Sequence, residues 1–444
     1  MKVFVKTFGC TFNQADSDEI KNHLEKKGLK IVDSESDADA VVFNTCGVKT
    51  ATQEKILYEL KTTRGKKIIV AGCLAQVTPE LIAKANPNAV ITGIANGEKI
   101  LQAILKNTST TKKRETGKPE TEKQARKLTG ENSEKPTGFQ PAQPVVDGVI
   151  ARTRIARGCL NACTFCQTRI ARGPLQSTQF TRVIQGVANA VKQGAKEIQL
   201  TAQDCGCYGF DLRPQTTLAE LIAALNEIPG DFRIRVGMLN PQHALEQLVE
   251  LVDAFTLEKT YKFLHVPLQS GSDAVLKDML RSYSVRDFKR VVEEFRKKIP
   301  EITLATDVIV GYPTETEEDF EKTLKILEET SFDVVNVSKF SPRPKTLAAR
   351  LPQLNNSTIK RRSELASSLT KRIGLEKNRE WIGRTCNALF TEKGKNKNNE
   401  SILGRNDYYK QVIVAGGVKL GEFARVRVVG AVQGGLLAEI IEKP

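Results

Sequence analysis

The first hundred residues alternate two patterns. Short unbroken apolar runs, KVFVKTF (2–8), AVVFNT (40–45) and KIIVAG (67–72), are separated by stretches whose apolar positions recur every three or four residues, such as SDEIKNHLEKKG (17–28) and ATQEKILYELKT (51–62). Continuous apolar runs suit strands buried on both faces, and the longer period suits helices laid across them. Alternation at this rhythm predicts a parallel α/β sheet domain over residues 1–106.

A second block, 145–377, repeats strand then helix six times. The strands are VIARTRIAR, EIQLTAQ, FRIRVGM, KFLHVPL, TLATDVIVG and FDVVNVSKF; helices such as RVIQGVANAVKQ, LAELIAALNEI, ALEQLVELVDAF, RDFKRVVEEFRKK and EEDFEKTLKILEE lie between them. Repeated βα units predict a partial parallel (βα)6 barrel, whose chemistry belongs at the C-terminal ends of its strands. A doubly wound sheet is the competing arrangement. From 378 to 444 the pattern changes to short strands with glycine turns, TCNALFTEKG, YKQVIVAGG, ARVRVVGA and LLAEII, the pattern of a small antiparallel β-barrel that binds oligonucleotides. Residues 107–144 are rich in Lys, Thr, Glu and Pro and nearly free of large apolar side chains, which predicts a disordered polar linker. The fold class expected is α/β.

Composition narrows the function. No apolar run approaches the roughly 18 residues that span a bilayer, so no membrane partner is expected. The start runs directly into a strand pattern without signal-peptide architecture, which points to a soluble cytoplasmic protein. The formal net charge is +15, which favours a polyanionic partner, most often nucleic acid. The nine cysteines are odd in number and clustered, which argues against a disulfide framework and for metal or redox use.

Three of them, Cys159, Cys163 and Cys166, form C-x3-C-x2-C directly after the first barrel strand, in a loop opened by Gly158 and carrying Asn161. A helix with a buried cysteine stripe is one reading, but the glycine and the preceding strand favour a loop. A zinc site is another, with a fourth ligand from Cys205 or Cys207. The third is a [4Fe–4S] cluster with one iron left open for a cofactor. A second set is spread along the first block: Cys10, Cys46 and Cys73 each lie just after a strand. In a parallel sheet those ends share one rim, so the three are expected to meet and hold a second cluster, again with an open iron. Cys205 and Cys207 end the second barrel strand and are candidates to line the site as free thiols. Cys386 reads as barrel core, and His23, His243 and His265 have no ligand spacing and read as structural.

The C-x3-C-x2-C spacing is the signature of radical S-adenosylmethionine (SAM) enzymes. With the second cysteine set, the six βα units and the terminal barrel, the chain resembles the methylthiotransferases of that superfamily. ARGCLNACTFCQTRIARG, LTAQDCGCYGFD, RVGMLNP, FLHVPLQSGSD, TDVIVGYPTET and KFSPRPKTLAARL resemble the tRNA threonylcarbamoyladenosine branch, and the last block resembles its TRAM domain. The resemblance implies two [4Fe–4S] clusters and SAM as cofactors, tRNA as partner, and outside sources of electrons and sulfur. A radical made at Cys159, Cys163 and Cys166 would take hydrogen from C2 of the modified adenosine at tRNA position 37. Cys10, Cys46 and Cys73 would hold the cluster that supplies sulfur, and a second SAM would methylate it. Cysteines at 205 and 207 depart from the family motif, and the linker is longer than the family's.

Strand ends supply further candidates. Phe165 is placed to touch the adenine of the cofactor; Gln203, Asn240, Gln269, Thr306, Asp307 and Gly311 are placed to contact ribose, methionine or substrate. Lys339 and Arg343 are candidates to face phosphate. In the last block Arg384, Lys393, Lys395, Lys397, Arg405, Lys410, Arg425 and Arg427 are candidates to neutralise RNA phosphates, and Tyr408 and Tyr409 to stack bases. Rival functions are the same chemistry on isopentenyladenosine tRNA or on a ribosomal-protein aspartate, and a zinc-stabilised RNA-binding protein without catalysis.

Overall fold

The computed structural model describes residues 1–47, 50–94, 96–106, 141, 143–394 and 401–443. The linker expected over 107–144 lies outside the described residues except for 141, 143 and 144, and so do Lys395 and Lys397.

Five parallel strands build the first sheet: β1 (Lys2–Thr7), β2 (Lys30–Ile31), β3 (Ala40–Thr45), β4 (Lys67–Gly72) and β5 (Val90–Gly93), in the order β2-β1-β3-β4-β5. β3 is buried at all six positions, as an unbroken apolar run at the centre of a covered sheet requires. Thr7 pairs with Asn44 and Thr45 with Gly72, so the C-terminal ends of β1, β3 and β4 are nearly level.

The second block contains β6 (Val146–Asp147), β7 (Ile150–Arg154), β8 (Ala156–Arg157), β9 (Gln176–Ser177), β10 (Glu197–Thr201), β11 (Arg233–Arg235), β12 (Phe263–His265), β13 (Thr303–Val310) and β14 (Val334–Lys339). Its sheets run β11-β10-β7-β6 and β12-β13-β14. They adjoin: Ile234 N donates to Lys259 O at 2.7 Å, and Tyr261 N donates to Ile234 O at 2.9 Å. Six parallel strands therefore follow one another in chain order without reversal, which is an open half-barrel and not a doubly wound sheet. Ile198, Leu200, Ile234, Leu304 and Val308 pack outward onto helical residues such as Val187, Leu221 and Phe288 in one core. Capping boxes at Thr217/Glu220, Ser284/Asp287 and Thr316/Asp319 start three of those helices.

The expected strand VIARTRIAR is shortened. β7 stops at Arg154, and β8 turns to pair antiparallel with β9, so the two arms bracket the cysteine loop.

The last block closes five strands, β15 (Thr385–Lys393), β16 (Ile402–Asn406), β17 (Gln411–Val414), β18 (Phe423–Val432) and β19 (Gly435–Glu442), into a ring ordered β15-β16-β17-β19-β18. It is not wholly antiparallel, because β17 and β19 pair in parallel. β18 crosses to β15, so its hairpin partner β19 meets β17 running the same way. A 24-residue helix, Asn356–Arg379, leads into the ring. The ring docks on the barrel floor: Lys262 N donates to Asp407 O at 2.8 Å, and Lys410 pairs with Asp333 at 2.7 Å. No described helix is long and apolar enough to cross a membrane.

Candidate active site

The rim of the first sheet gathers Cys10, Cys46 and Cys73. Cys10 caps helix Thr11–Lys26, Cys46 follows β3, and Cys73 opens helix Cys73–Val77 directly after β4. A Cβ on Gly9 would lie 2.7 Å from Cys46 Sγ, so the loop bearing Cys10 runs directly over Cys46. Burial pushes the Cys73 thiol up, and the neighbouring Cys10 adds to that shift. Thr45 fixes the two remaining loops, its hydroxyl donating to Ala71 O at 2.6 Å and accepting from Ala75 N at 3.3 Å.

The barrel loop gathers the other three. Gly158 adopts φ +75°, and a Cβ there would sit 1.9 Å from Pro174 O, so only glycine fits. Gln203 Oε1 accepts from Gly158 N at 2.7 Å and fixes the turn. Burial, then the charge of Asp204, pushes the Cys159 thiol up to about 12, and Cys163 and Cys166 add to the shift. The sulfurs are met by donors: Asn161 N reaches Cys159 Sγ at 3.4 Å, Arg281 Nη1 reaches Cys163 Sγ at 3.0 Å, and Thr168 N reaches Cys166 Sγ at 3.3 Å. Such N–H···S contacts orient and stabilise thiolate ligands.

Arg172 joins the two sets. It ends the short helix Thr168–Arg172 that follows Cys166, yet its Nε donates to Cys73 Sγ in the first domain at 3.3 Å. Its Nη2 donates to Asn13 Oδ1 at 2.9 Å and to Asp16 Oδ2 at 2.6 Å, and its guanidinium lies 4.7 Å from the Phe12 ring centroid. Asp16 also takes Arg154 of β7 at 2.7 Å, and Asp18 takes Arg152 at 2.9 Å. Nothing in the cysteine spacing marks Arg172 or Arg281; their proximity to sulfur depends on tertiary structure.

Sulfur spacing separates the metal readings. Tetrahedral zinc with Zn–S bonds near 2.3 Å draws its thiolates to within about 4 Å of one another. Among the described residues the one group of three ligand atoms within 4.8 Å is Asp204, Cys207 and His243, and it contains neither cysteine set. Neither set draws its three sulfurs within 4.8 Å of one another, wider than the spacing around a single zinc ion, and three thiols to a set is the donor chemistry that ligates iron–sulfur clusters. The Asp204 group is already hydrogen-bonded: His243 Nδ1 meets Asp204 Oδ2 at 2.7 Å, His243 Nε2 meets Gln242 at 2.9 Å, and Cys207 Sγ donates to Asp204 O at 3.4 Å. Cys205 and Cys207 are fully buried in the barrel core and do not line an open site, and Cys386 is half-buried at the edge of the ring core.

The strand-end candidates divide. Phe165 is half-buried against Met279, Tyr312 and Phe340. Asn240 Oδ1 accepts from Arg281 Nη2 at 3.0 Å, and the same guanidinium reaches Cys163 Sγ, so Asn240 lies near that cysteine. Gln269 has φ +64°, a strained backbone for a non-glycine residue at a strand end. Asp307 faces His265 at 2.9 Å and Asn336 at 2.9 Å. Thr306 is fully buried and its hydroxyl accepts from Leu268 N at 2.9 Å, so its role is structural. Gly311 is also structural: a Cβ there would strike Ile359 at 2.6 Å. Lys339 is exposed, but Arg343 turns inward, donating to Gln53 Oε1 at 3.1 Å and feeling the nearby Cys46 thiol, so it faces the first domain.

The last block divides as well. Arg384, Lys393, Arg425 and Arg427 are exposed, with Arg384 ion-paired to Glu301 and Arg425 3.8 Å from Glu442. Lys410 is 7% exposed and held by Asp333 and Asn378, so it is not open to RNA. Tyr408 packs on Trp381 at 5.3 Å. Tyr409 packs on Tyr261 at 4.8 Å and Phe263 at 4.9 Å, with Arg405 4.8 Å above its ring. These two half-buried tyrosines pack where the ring docks, so their rings are partly taken up by neighbouring aromatics.

Residues 2–93 match the family described as uncharacterized protein family UPF0004, residues 153–327 the radical SAM superfamily, and residues 374–441 the TRAM domain. The radical SAM methyltransferase TsrM from Kitasatospora setae superposes with TM-score 0.53 over 78% of this chain and 76% of its own, at 15% identity, which is a likeness of fold. The half-barrel with its cysteine loop thus defines a radical SAM enzyme. A probable threonylcarbamoyladenosine tRNA methylthiotransferase of Pyrococcus horikoshii is 40% identical, covering 99% of this chain and all of its own. The human threonylcarbamoyladenosine tRNA methylthiotransferase is 33% identical over 93% of this chain and 69% of its own. The chain belongs to the threonylcarbamoyladenosine tRNA methylthiotransferase family.

Proposed function

We propose that this protein replaces the C2 hydrogen of N6-threonylcarbamoyladenosine, at tRNA position 37, with a methylthio group. The observation that carries this is the pair of three-cysteine sets on facing rims, tied across the domain boundary by Arg172. One set serves to make a radical, and the second to hold sulfur beside it. Cys159, Cys163 and Cys166 would hold one [4Fe–4S] cluster and Cys10, Cys46 and Cys73 the other. Those groups and SAM, when bound, supply hydrogen abstraction, sulfur delivery and the methyl group; electrons and sulfur come from outside the chain.

The chain's own residues do the positioning. Gly158 and Gln203 set the cysteine loop. Arg281 and Asn240 form one wall beside Cys163, and Phe165 offers the half-buried face suited to an adenine ring. Gln269 and Asp307 present polar groups at the strand ends. Exposed Arg384, Lys393, Arg425 and Arg427 take phosphates.

Iron, sulfide and zinc content after anaerobic reconstitution tests the reading, with variants in which each cysteine set is replaced by alanine. About eight irons in the wild type and about four in each variant are expected. The wild type, given SAM, a reductant and sulfide, should add a methylthio mass to tRNA carrying threonylcarbamoyladenosine. Zinc in place of iron, or no mass gain on that tRNA, overturns it.

A further inference from the structure

A cavity of about 500 Å³ lies where the three domains meet. That size is ordinary for a site that takes a nucleoside-sized group. Thr11 and Gln14 reach it from the first domain, Gln199 and Arg235 from the barrel, and Lys393 and Tyr409 from the ring. Thr11 is the residue after Cys10, so the cavity wall includes the first turn of the helix that Cys10 begins.

Arg235 distinguishes it. Its neighbour Arg152, also in the cavity wall, is neutralised by Asp18 at 2.9 Å and Asp147 at 3.1 Å. Arg235 has no hydrogen-bond or ion-pair partner among the described residues, and its Nε is buried and unsatisfied. The guanidinium lies 5.4 Å from the Phe263 ring centroid and 5.8 Å from that of Tyr409. Glu197 is the neighbouring acid. Its Oε1 is engaged by Gln199 at 2.6 Å and Tyr409 at 3.3 Å, its Oε2 makes no hydrogen bond, and burial pushes its carboxyl up against the opposing charges of Arg405 and Arg235. A rigid, always-charged fork beside two packed aromatic rings, with its buried Nε unused, is suited to receive an oxyanion.

We infer that this cavity binds an oxyanion of the RNA substrate on Arg235. The reading rests on the proposed substrate. Two groups of that RNA carry the chemistry: the threonyl carboxylate on the modified base and a backbone phosphate.

The test is equilibrium binding of anticodon stem-loop RNAs to the reconstituted holoenzyme without reductant, at several salt concentrations. The RNAs carry adenosine, threonylcarbamoyladenosine or its neutral methyl ester at position 37. The proteins are wild type, Arg235→Gln and Arg235→Lys, each checked for unchanged iron content and melting temperature. A carboxylate on Arg235 makes wild type prefer the acid over the ester by about ten- to hundredfold, and Arg235→Gln abolishes that preference. A phosphate on Arg235 lowers affinity for all three RNAs equally in Arg235→Gln and reduces the salt slope by about one. Arg235→Lys keeps the charge without the fork and falls between.

Equal wild-type affinity for acid and ester, together with wild-type salt dependence in Arg235→Gln, overturns the inference. If Arg235→Gln loses iron or stability, Arg235→Lys is judged in its place, and wild-type affinity for adenosine, acid and ester RNAs alike in that variant overturns the inference. Methylthiolation of threonylcarbamoyladenosine tRNA alongside that null binding result would sink the cavity assignment alone. No methylthiolation, with tighter binding of another modified adenosine, would sink the substrate reading itself.

Discussion

Arg172 Nε lies 3.3 Å from Cys73 Sγ, although the two belong to different domains. The same guanidinium closes an ion pair with Asp16 that is almost wholly out of water. Replacing Arg172 by Met removes three donors at once and leaves Asp16 with Arg154 alone. Chemical denaturation of Arg172→Met should show a loss of about 2–4 kcal/mol. Arg172→Lys should recover only part of it, since an ammonium cannot serve three acceptors spread around a planar fork. Wild-type stability in Arg172→Met would show that the link is not needed to hold the domains.

Gly158→Ala should empty one cysteine set and spare the other. The added methyl meets Pro174 O at 1.9 Å in a backbone with φ +75°, so the loop must move. Reconstituted iron is expected to drop by about half, with the far-ultraviolet dichroism of the wild type retained. Full iron loading would mean that the loop has another conformation available.

The RNA face and the docking face of the ring should separate by mutation. Arg425→Ser and Arg427→Ser change exposed side chains, and each should reduce the salt slope of tRNA binding by about one with little change in stability. Lys410→Ala leaves Asp333 buried beside an empty place and should cost about 3–5 kcal/mol of stability. A Lys410→Ala protein as stable as wild type would contradict the docking role.

Acid should loosen the helix starts of the barrel. Hydrogen bonds from the Ser284 backbone and hydroxyl hold the Asp287 carboxyl below the usual range. At Asp319 burial pushes up, but hydrogen bonds from Ser272 and Thr316 outweigh it. A carboxyl depressed in the fold stabilises above its unfolded pKa, and that contribution is lost as pH falls through the folded value. The melting temperature should therefore begin to drop below about pH 4. Asp319→Ala should remove about 1 kcal/mol at pH 7 and show a shallower acid slope. An unchanged slope would place the acid sensitivity elsewhere.

Much of this was legible in sequence, and the rest was not, for physical reasons. Strand–helix alternation is a local signal, so the sheet, the half-barrel and the place of Cys10, Cys46, Cys73 and Cys159 just after strands could be read directly. Position alone could not say which polar residues remain available. Thr306 and Gly311 sit at strand ends, yet Leu268 and Ile359 account for them. Lys410, Tyr408 and Tyr409 have the composition of an RNA surface, but Lys410 is buried and the two tyrosines are half-buried by packing. Arg172, Arg235 and Arg281 were missed because an arginine near a motif is common, and only packing shows which one reaches sulfur or a cavity. The parallel β17–β19 pairing depends on how the ring closes, which glycine turns do not encode.

Tyr409 has one more consequence. A ring of strands that offers an aromatic side chain to the underside of another domain, between Tyr261 and Phe263, acts as a plug as well as a hand for RNA. Grafting this last block onto another enzyme would carry its charge but leave an unfilled hole in the donor, so the two parts are constrained to evolve as a fitted pair.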